Sequence, residues 1–581
     1  MKQSNYDKFP TIVVPDSAGE AWAGWDAIGQ TLAAALRRRS GRTIVFECYP
    51  GVLLDDVLAQ VRPMFHDALL VNSATAMLEP AAIEKLLEHE TWPADPVFGR
   101  MTKRALYDLF DPMKLADLRW QVESHAGPVV VFGIGASLIA TGDLLVYLDM
   151  ARWEIQLRQR RHEIDSIGCH DRDAAPWVLY KRGFFADWRM ADENKERIFG
   201  QIDFFLDTND RTTPKLATAD AVRRGLAACI HRPFRVVPFF DPGVWGGQWM
   251  MDVCDLDRSA PNYAWCFDCV PEENSLLLSI GGRRIELPSI NLVHQHPIEL
   301  LGDAVFARFG AEFPIRFDFL DTMDGGNLSL QVHPLKEYME QTFGLPYTQD
   351  ESYYMLEAGS DASVFLGFKE AVNPAEFVAA LERAQADAKS PLDVEKFVNR
   401  FPAKKHDHFS IPAGTIHCSG RNSMVLEISA TPYIFTFKLW DWGRLDLNGK
   451  PRPISIQHGM QNLDYSRDTT WTAEHLVNPT EPVAEGEGWR EERTGLHASQ
   501  FIETRRHWFT VAVTHHTNGS VNVINLVEGD AAIVESPSGA FAPFEVHYAE
   551  TFIVPAAVGE YVIRPKVAGT NCATLKASVR S

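Results

Sequence analysis

At 581 residues the chain exceeds a single module, and at roughly 100–200 residues per domain it divides into about three or four. Hydrophobic residues make up 46% and charged residues 23%, which excludes wholesale disorder and fibrous repeats. Asp and Glu number 77 against 56 Lys and Arg, and the resulting charge of −21 repels phosphate backbones and anionic lipid, so neither nucleic acid nor membrane is an expected partner. The eight cysteines are scattered without the spacing of a disulfide framework and are expected as reduced thiols. Met1 to Ala21 is polar and broken by Pro10 and Pro15, unlike a signal peptide, and no run of 18 apolar residues follows; the expected compartment is the cytoplasm.

From Gly41 to Phe204 short apolar runs alternate with amphipathic stretches. Thr43 to Phe46, Val129 to Gly133 and Leu144 to Asp149 predict buried parallel strands, and residues 1–230 are expected to form an α/β domain. Gly133-Ile-Gly-Ala-Ser137 follows a strand, a context that can hold phosphate, but it lacks the Lys and the hydroxyl of a P-loop. It is expected to be a glycine turn in a degenerate nucleotide-binding fold, without kinase activity. Arg152, Arg158, Arg160 and Arg161 predict a basic helix whose charges face solvent or a neighbouring domain.

From Pro233 onward, short strand-like runs punctuated by Gly, Pro and Asn predict all-β structure. Cys266 and Cys269 are expected to flank a turn between strands. A helical insertion is predicted over 374–400, with Phe377, Leu381 and Ala384 on one face and a break at Ser390-Pro391. Glu474 to Thr494 is polar and carries Pro479, Pro482 and an alternating Glu-Gly run, the pattern of a linker. The expected domains are thus 1–230, 231–475 and a second β domain over 495–581.

Ser329-Leu-Gln-Val-His-Pro334 carries the chain's strongest constellation. Residues two apart on a strand share a face, so Gln331 and His333 can present an amide oxygen and an imidazole nitrogen to one point. Glu351 follows at the head of an apolar run, and Pro412-Ala-Gly-Thr-Ile-His417 is a tight turn feeding a strand with a second histidine. Two imidazoles, a carboxylate and an amide suit one borderline divalent ion such as zinc, with a position left for substrate.

Pro-x-Gly-x-x-His followed by Asn422, and Gln-x-His with a later Glu, resemble the two motifs of the cupin barrel. Residues 233–566 are similar to the type I mannose-6-phosphate isomerases, through Val244-Trp-Gly-Gly247, Phe319-Leu-Asp321, Leu328 to Pro334, Leu366-Gly-Phe-Lys-Glu370, Ile411 to His417 and Trp440-Asp-Trp-Gly-Arg444. The resemblance implies a multidomain chain: an extra N-terminal α/β domain, then cupin (jelly-roll) domains with a helical insertion, the second being metal-free and carrying Tyr548 to Ala556. It places Gln331, His333, Glu351 and His417 at the family's metal positions and implies one Zn2+ per chain, or another divalent ion. The implied substrate is a sugar phosphate, isomerised between mannose 6-phosphate and fructose 6-phosphate through an enediol. Glu427 matches a family carboxylate near the active site and is the expected acid/base, while Lys438 and Arg444 are expected to meet the substrate anion and enediolate charge. Gln349 and Lys438 depart from a usual Lys and Arg, and Lys lacks the bidentate fork of Arg. These departures leave open a second reading, a sugar-phosphate-binding cupin that acts as sensor or scaffold.

Overall fold

A computed structural model of the chain describes residues 4–387, 390–430, 434–446, 449 and 452–580, and the counts below refer to these residues. They divide into two compact units: Thr11–Ala228 with Ser275–Gln295, and Met1–Pro10, Cys229–Asn274 and His296–Ser581. Among the described residues no helix is long and apolar enough to cross a membrane.

Consecutive apolar residues fit a strand only when both of its faces are covered, and in the first unit such runs form the centre of a seven-stranded sheet. Its strands are β1 (Ala21–Ala23), β2 (Thr43–Cys48), β3 (Leu69–Asn72), β4 (Val129–Gly133), β5 (Leu144–Leu148), β6 (Phe204–Asp207) and β7 (Lys215–Thr218), lying in the order β1-β7-β6-β5-β2-β4-β3. The strands β2 to β6 pair in parallel, and every residue of β2, β4 and β5 is buried. Helix Trp25–Arg38 buries Ile28, Leu32 and Leu36 in a cluster with Ile44, Phe46 and Val146. Each such side chain contributes about 1.5–3 kcal/mol of transfer free energy. A three-stranded sheet also belongs to this unit, because Thr11–Val13 pairs in parallel with Ser275–Ile280, which in turn pairs with Arg283–Pro288.

Two expectations change here. At the glycine turn, the N–H groups of Gly135 and Ser137 donate to Glu47 Oε1 and Oε2 at 2.7 and 2.6 Å, so an internal carboxylate takes the position of an anion. Burial pushes Glu47 up to about 7, against the lowering effect of those two N–H groups. The basic helix, Arg152–Arg160, is also only partly a surface feature. Arg158 is 1% exposed and donates to the carbonyls of Gly51 and Thr208, both at 2.8 Å, and Arg152 donates to Tyr49 Oη at 3.0 Å. The carbonyls just past β2 and β6 need donors, and Arg158 supplies them.

The second unit contains two pairs of antiparallel sheets. The first pair uses β8 (Phe239–Asp241), β9 (Trp265–Cys269), β10 (Ile315–Asp321), β11 (Leu330–Val332), β12 (Glu351–Ala358), β13 (Ser363–Phe368), β14 (Val398–Pro402), β15 (His408–Ile411), β16 (His417–Ser419), β17 (Ser423–Ala430) and β18 (Phe437–Trp440). The sheets run β15-β12-β17-β10-β9-β8 and β14-β13-β16-β11-β18. Helices Pro374–Ala386 and Val394–Phe397 lie between β13 and β14; Asn373 caps the first by accepting from the N–H groups of Ala375 and Glu376. The expected insertion thus ends at Phe397, and residues 388–389 within it lie outside the described residues. Cys266 and Cys269 do not flank a turn: both are buried in β9, which carries a bulge between them.

Residues 480–494 are a hairpin and not a linker. Thr480–Gly486 pairs with Trp489–Thr494 across a turn with Gly488 at φ +79°, and the hairpin extends a six-stranded sheet through Ile502–Phe509. Its outer strand is the exposed edge, which explains its polarity, and Pro482 sits at a bulge where no ladder donor is required. A four-stranded sheet completes this pair around Phe509, Ile524, Leu526, Val534, Phe552 and Ile563.

Candidate metal centre

The two facing sheets of the first pair bring the four sequence-predicted ligands together. Gln331 on β11 is paired directly with His417 on β16, His333 follows β11, and Glu351 opens β12 on the opposite sheet. His333 Nε2 lies 2.9 Å from Glu351 Oε2, and His417 Nε2 lies 2.9 Å from Glu351 Oε1. Gln331 Nε2 is 3.3 Å from His417 Nε2. Ligand atoms of His333, Glu351 and His417 all fall within 4.8 Å of one another, and all three residues are buried.

This arrangement fits a divalent ion on its own geometry. His333 Nε2 and Glu351 Oε1 are buried without a hydrogen-bond partner among the described residues, as atoms kept for a metal would be. Each imidazole is also fixed from behind: His333 Nδ1 lies 3.1 Å from the Phe435 carbonyl and His417 Nδ1 2.8 Å from the Thr415 carbonyl. A carbonyl only accepts, so each Nδ1 donates to it, and each Nε2 is the atom that can ligate a metal once deprotonated. In the metal-free chain burial opposes ionisation of Glu351, yet the facing imidazoles, His333 first, outweigh it and hold the carboxyl well below the ordinary range.

The expected acid/base and anion-binding residues separate. Glu427 on β17 stands opposite Asp318 in β10 and Tyr353 in β12, so carboxyl groups and a phenol surround it where a cation would be needed for a structural ion pair. Burial, followed by the charges of Glu351 and Asp318, pushes Glu427 well above the carboxylate range. Lys438 on β18 is paired with Gln331 and shares its face. Burial lowers it to about 7, helped by Arg452 and Arg444 and opposed by Asp441. Arg444 is anchored: it donates to Asp441 Oδ1 at 2.6 Å and to the Asn327 carbonyl at 2.6 Å.

Two contributors, Arg452 and Asp318, escaped sequence reasoning. Arg452 donates to Asp441 Oδ2 at 2.8 Å and to Ser329 Oγ at 3.2 Å, joining Arg444 in a pair of guanidinium groups around one carboxylate. Asp318 lies behind Glu427, and its one visible signal is the alternation of β10, Phe317-Asp-Phe319. Gln349, which stands where the resemblance expects a Lys, donates through Nε2 to Glu351 Oε2 at 3.1 Å.

A family model described as a domain of unknown function (DUF8485) matches residues 24–231. Mannose-6-phosphate isomerase ManA of Bacillus subtilis (strain 168) is 24% identical over 233 residues, 40% of this chain and 68% of that protein. Mannose-6-phosphate isomerase of Streptococcus mutans serotype c is 24% identical over 231 residues, 39% of this chain and 67% of that one. Among solved structures, the Bacillus subtilis mannose 6-phosphate isomerase covers 59% of this chain and 99% of its own, with 19% identity and a TM-score of 0.48. Over about two-fifths of its length the chain is thus similar to mannose-6-phosphate isomerases, and a domain of unknown function matches the residues ahead of that stretch.

Proposed function

We propose that the chain is a zinc-dependent aldose–ketose isomerase that interconverts mannose 6-phosphate and fructose 6-phosphate. The observation that carries this reading is the convergence of His333 Nε2 and His417 Nε2 on the two oxygens of Glu351, beside Gln331. This donor set fits zinc, which when bound at Gln331, His333, Glu351 and His417 would supply Lewis-acid polarisation of the substrate carbonyl.

The chain's own residues divide the remaining work. Isomerisation moves a proton between C1 and C2, and a group that exchanges protons near neutral pH does this best. Lys438, lowered to about 7, suits that task, and Glu427, pushed upward by burial and then by the charges of Glu351 and Asp318, has a hydrogen-bonding role beside Glu351. Arg444 and Arg452 leave a net positive charge around Asp441, on which the substrate anion rests. The buried strand faces exclude water from the enediol.

Label exchange tests this proposal. With zinc-loaded protein and mannose 6-phosphate deuterated at C2, deuterium should move to C1 or wash out as fructose 6-phosphate forms. Retention of the label in sugar that the protein nevertheless binds would make it a sensor or scaffold.

A further inference from the structure

Gln349 is 3% exposed and stands two residues before Glu351, on a firmly held approach to β12. On one side the Thr348 hydroxyl donates to the Pro334 carbonyl, and on the other the Asp350 carboxylate accepts from the Ala413 N–H at 2.9 Å. The amide therefore sits on fixed backbone beside the metal centre.

Chemistry fixes which way this amide points. An ionised carboxylate only accepts hydrogen bonds, so the NH2 group must face Glu351 Oε2, 3.1 Å away, and the carbonyl must turn from it. That carbonyl, Oε1, is buried and has no hydrogen-bond partner among the described residues. Buried acceptors are rarely left in this condition, since the loss of solvation is not recovered. An acceptor next to a ligand carboxylate calls for a donor that arrives with the bound molecule, and the hydroxyls of a sugar are such donors. A lysine here would offer donors alone; the amide presents the opposite hydrogen-bonding polarity to the ligand.

We propose that Gln349 is a positioning and specificity-determining residue: its NH2 group orients Glu351, and its carbonyl accepts a hydrogen bond from a hydroxyl of the sugar. Selection at this position then reads a hydroxyl and not the anionic group of the substrate. The inference rests on the isomerase reading for the nature of the ligand, and not for the contact with Glu351.

Two binding measurements on the full chain test it. Wild type, Gln349→Met and Gln349→Lys, each loaded with zinc, are titrated calorimetrically with mannose 6-phosphate and its 3-, 4- and 5-deoxy analogues; zinc affinity is measured by competition with a chromogenic chelator. Wild type should bind one analogue about tenfold more weakly than the parent sugar, and Gln349→Met, which has no carbonyl, should bind the two alike. Gln349→Lys should keep the donor to Glu351 but lose the discrimination. Zinc affinity should fall about 10- to 100-fold in Gln349→Met. Equal losses on hydroxyl removal in wild type and Gln349→Met, no binding of any of these sugars, or unchanged zinc affinity in Gln349→Met would each overturn the proposal. Failure of the isomerase reading shows separately, as sugar that binds with this discrimination while its C2 label stays in place.

Discussion

Replacing Glu47 by Gln tests whether the glycine turn of the α/β unit is closed by the chain's own carboxylate. Burial raises Glu47 from 4.5 to about 7, so the unfolded chain releases this proton near pH 4.5 while the folded chain holds it until pH 7. For an acid raised in the folded state, the stability it contributes is complete below pH 4.5 and is lost as pH rises to 7. At 1.36 kcal/mol per pH unit, the loss amounts to about 3 kcal/mol. Gln cannot ionise, so the variant lacks this slope. It also has one carbonyl where the carboxylate serves two N–H groups, which costs about 1 kcal/mol at every pH. The two should therefore be nearly equal in stability at pH 5, and the variant the more stable by about 2 kcal/mol at pH 8. The assay is hydrogen exchange by mass spectrometry on peptides spanning 129–138, run on both proteins from pH 5 to 8, where intrinsic exchange cancels in the comparison. Protection differing by the same amount at pH 5 and pH 8 would refute the reasoning.

The other predictions concern the metal, the proton and the unit boundary. Zinc at a hundredfold excess over its dissociation constant should stabilise the protein by about 2.7 kcal/mol, seen as a higher melting temperature that EDTA abolishes. His333→Ala and His417→Ala should lose both bound zinc by elemental analysis and this shift; full occupancy in both would remove the site. Because Lys438 must be neutral to accept a proton, kcat/KM should rise as pH passes about 7. Lys438→Arg, charged throughout, should fall by about 10²–10⁴-fold and lose that limb in a steady-state pH profile. A fragment of residues 1–230 lacks the strand paired with Thr11–Val13 and the Asn291 side chain, which donates to the buried Asp149 at 2.8 Å. It should unfold less cooperatively in urea than the same fragment with 275–295 joined through a flexible linker, and neither should transfer phosphate from ATP. Identical unfolding curves would deny that 275–295 completes the unit.

What could be read from the sequence followed from local periodicity. Continuous apolar runs can be strands only if covered on both faces, which is how Thr43 to Phe46 and Val129 to Gly133 announced their place in the sheet. The strand period of two put Gln331 and His333 toward one point, and the turn before His417 delivered the second imidazole to the same place. The Thr480–Thr494 hairpin was hidden for a related reason: an edge strand has no apolar face to show, and its order comes from Ile502–Phe509, which lies beyond it in the chain.

Proton affinity is where reading by residue type fails. Glu351 and Glu427 are both buried glutamates on neighbouring strands, and Tyr353 stands beside each of them. Two imidazoles push one downward, while burial and then two carboxyl groups push the other upward, and those neighbours arrive from β10, β12, β16 and the residue after β11. Lys438 follows the same rule with the opposite sign, since burial and two guanidinium groups make a nominal cation into a group that gives up its proton near neutrality. A resemblance can assign a glutamate or a lysine to a position; the strands that close over it decide which of them carries a mobile proton, and here they favour Lys438 over Glu427.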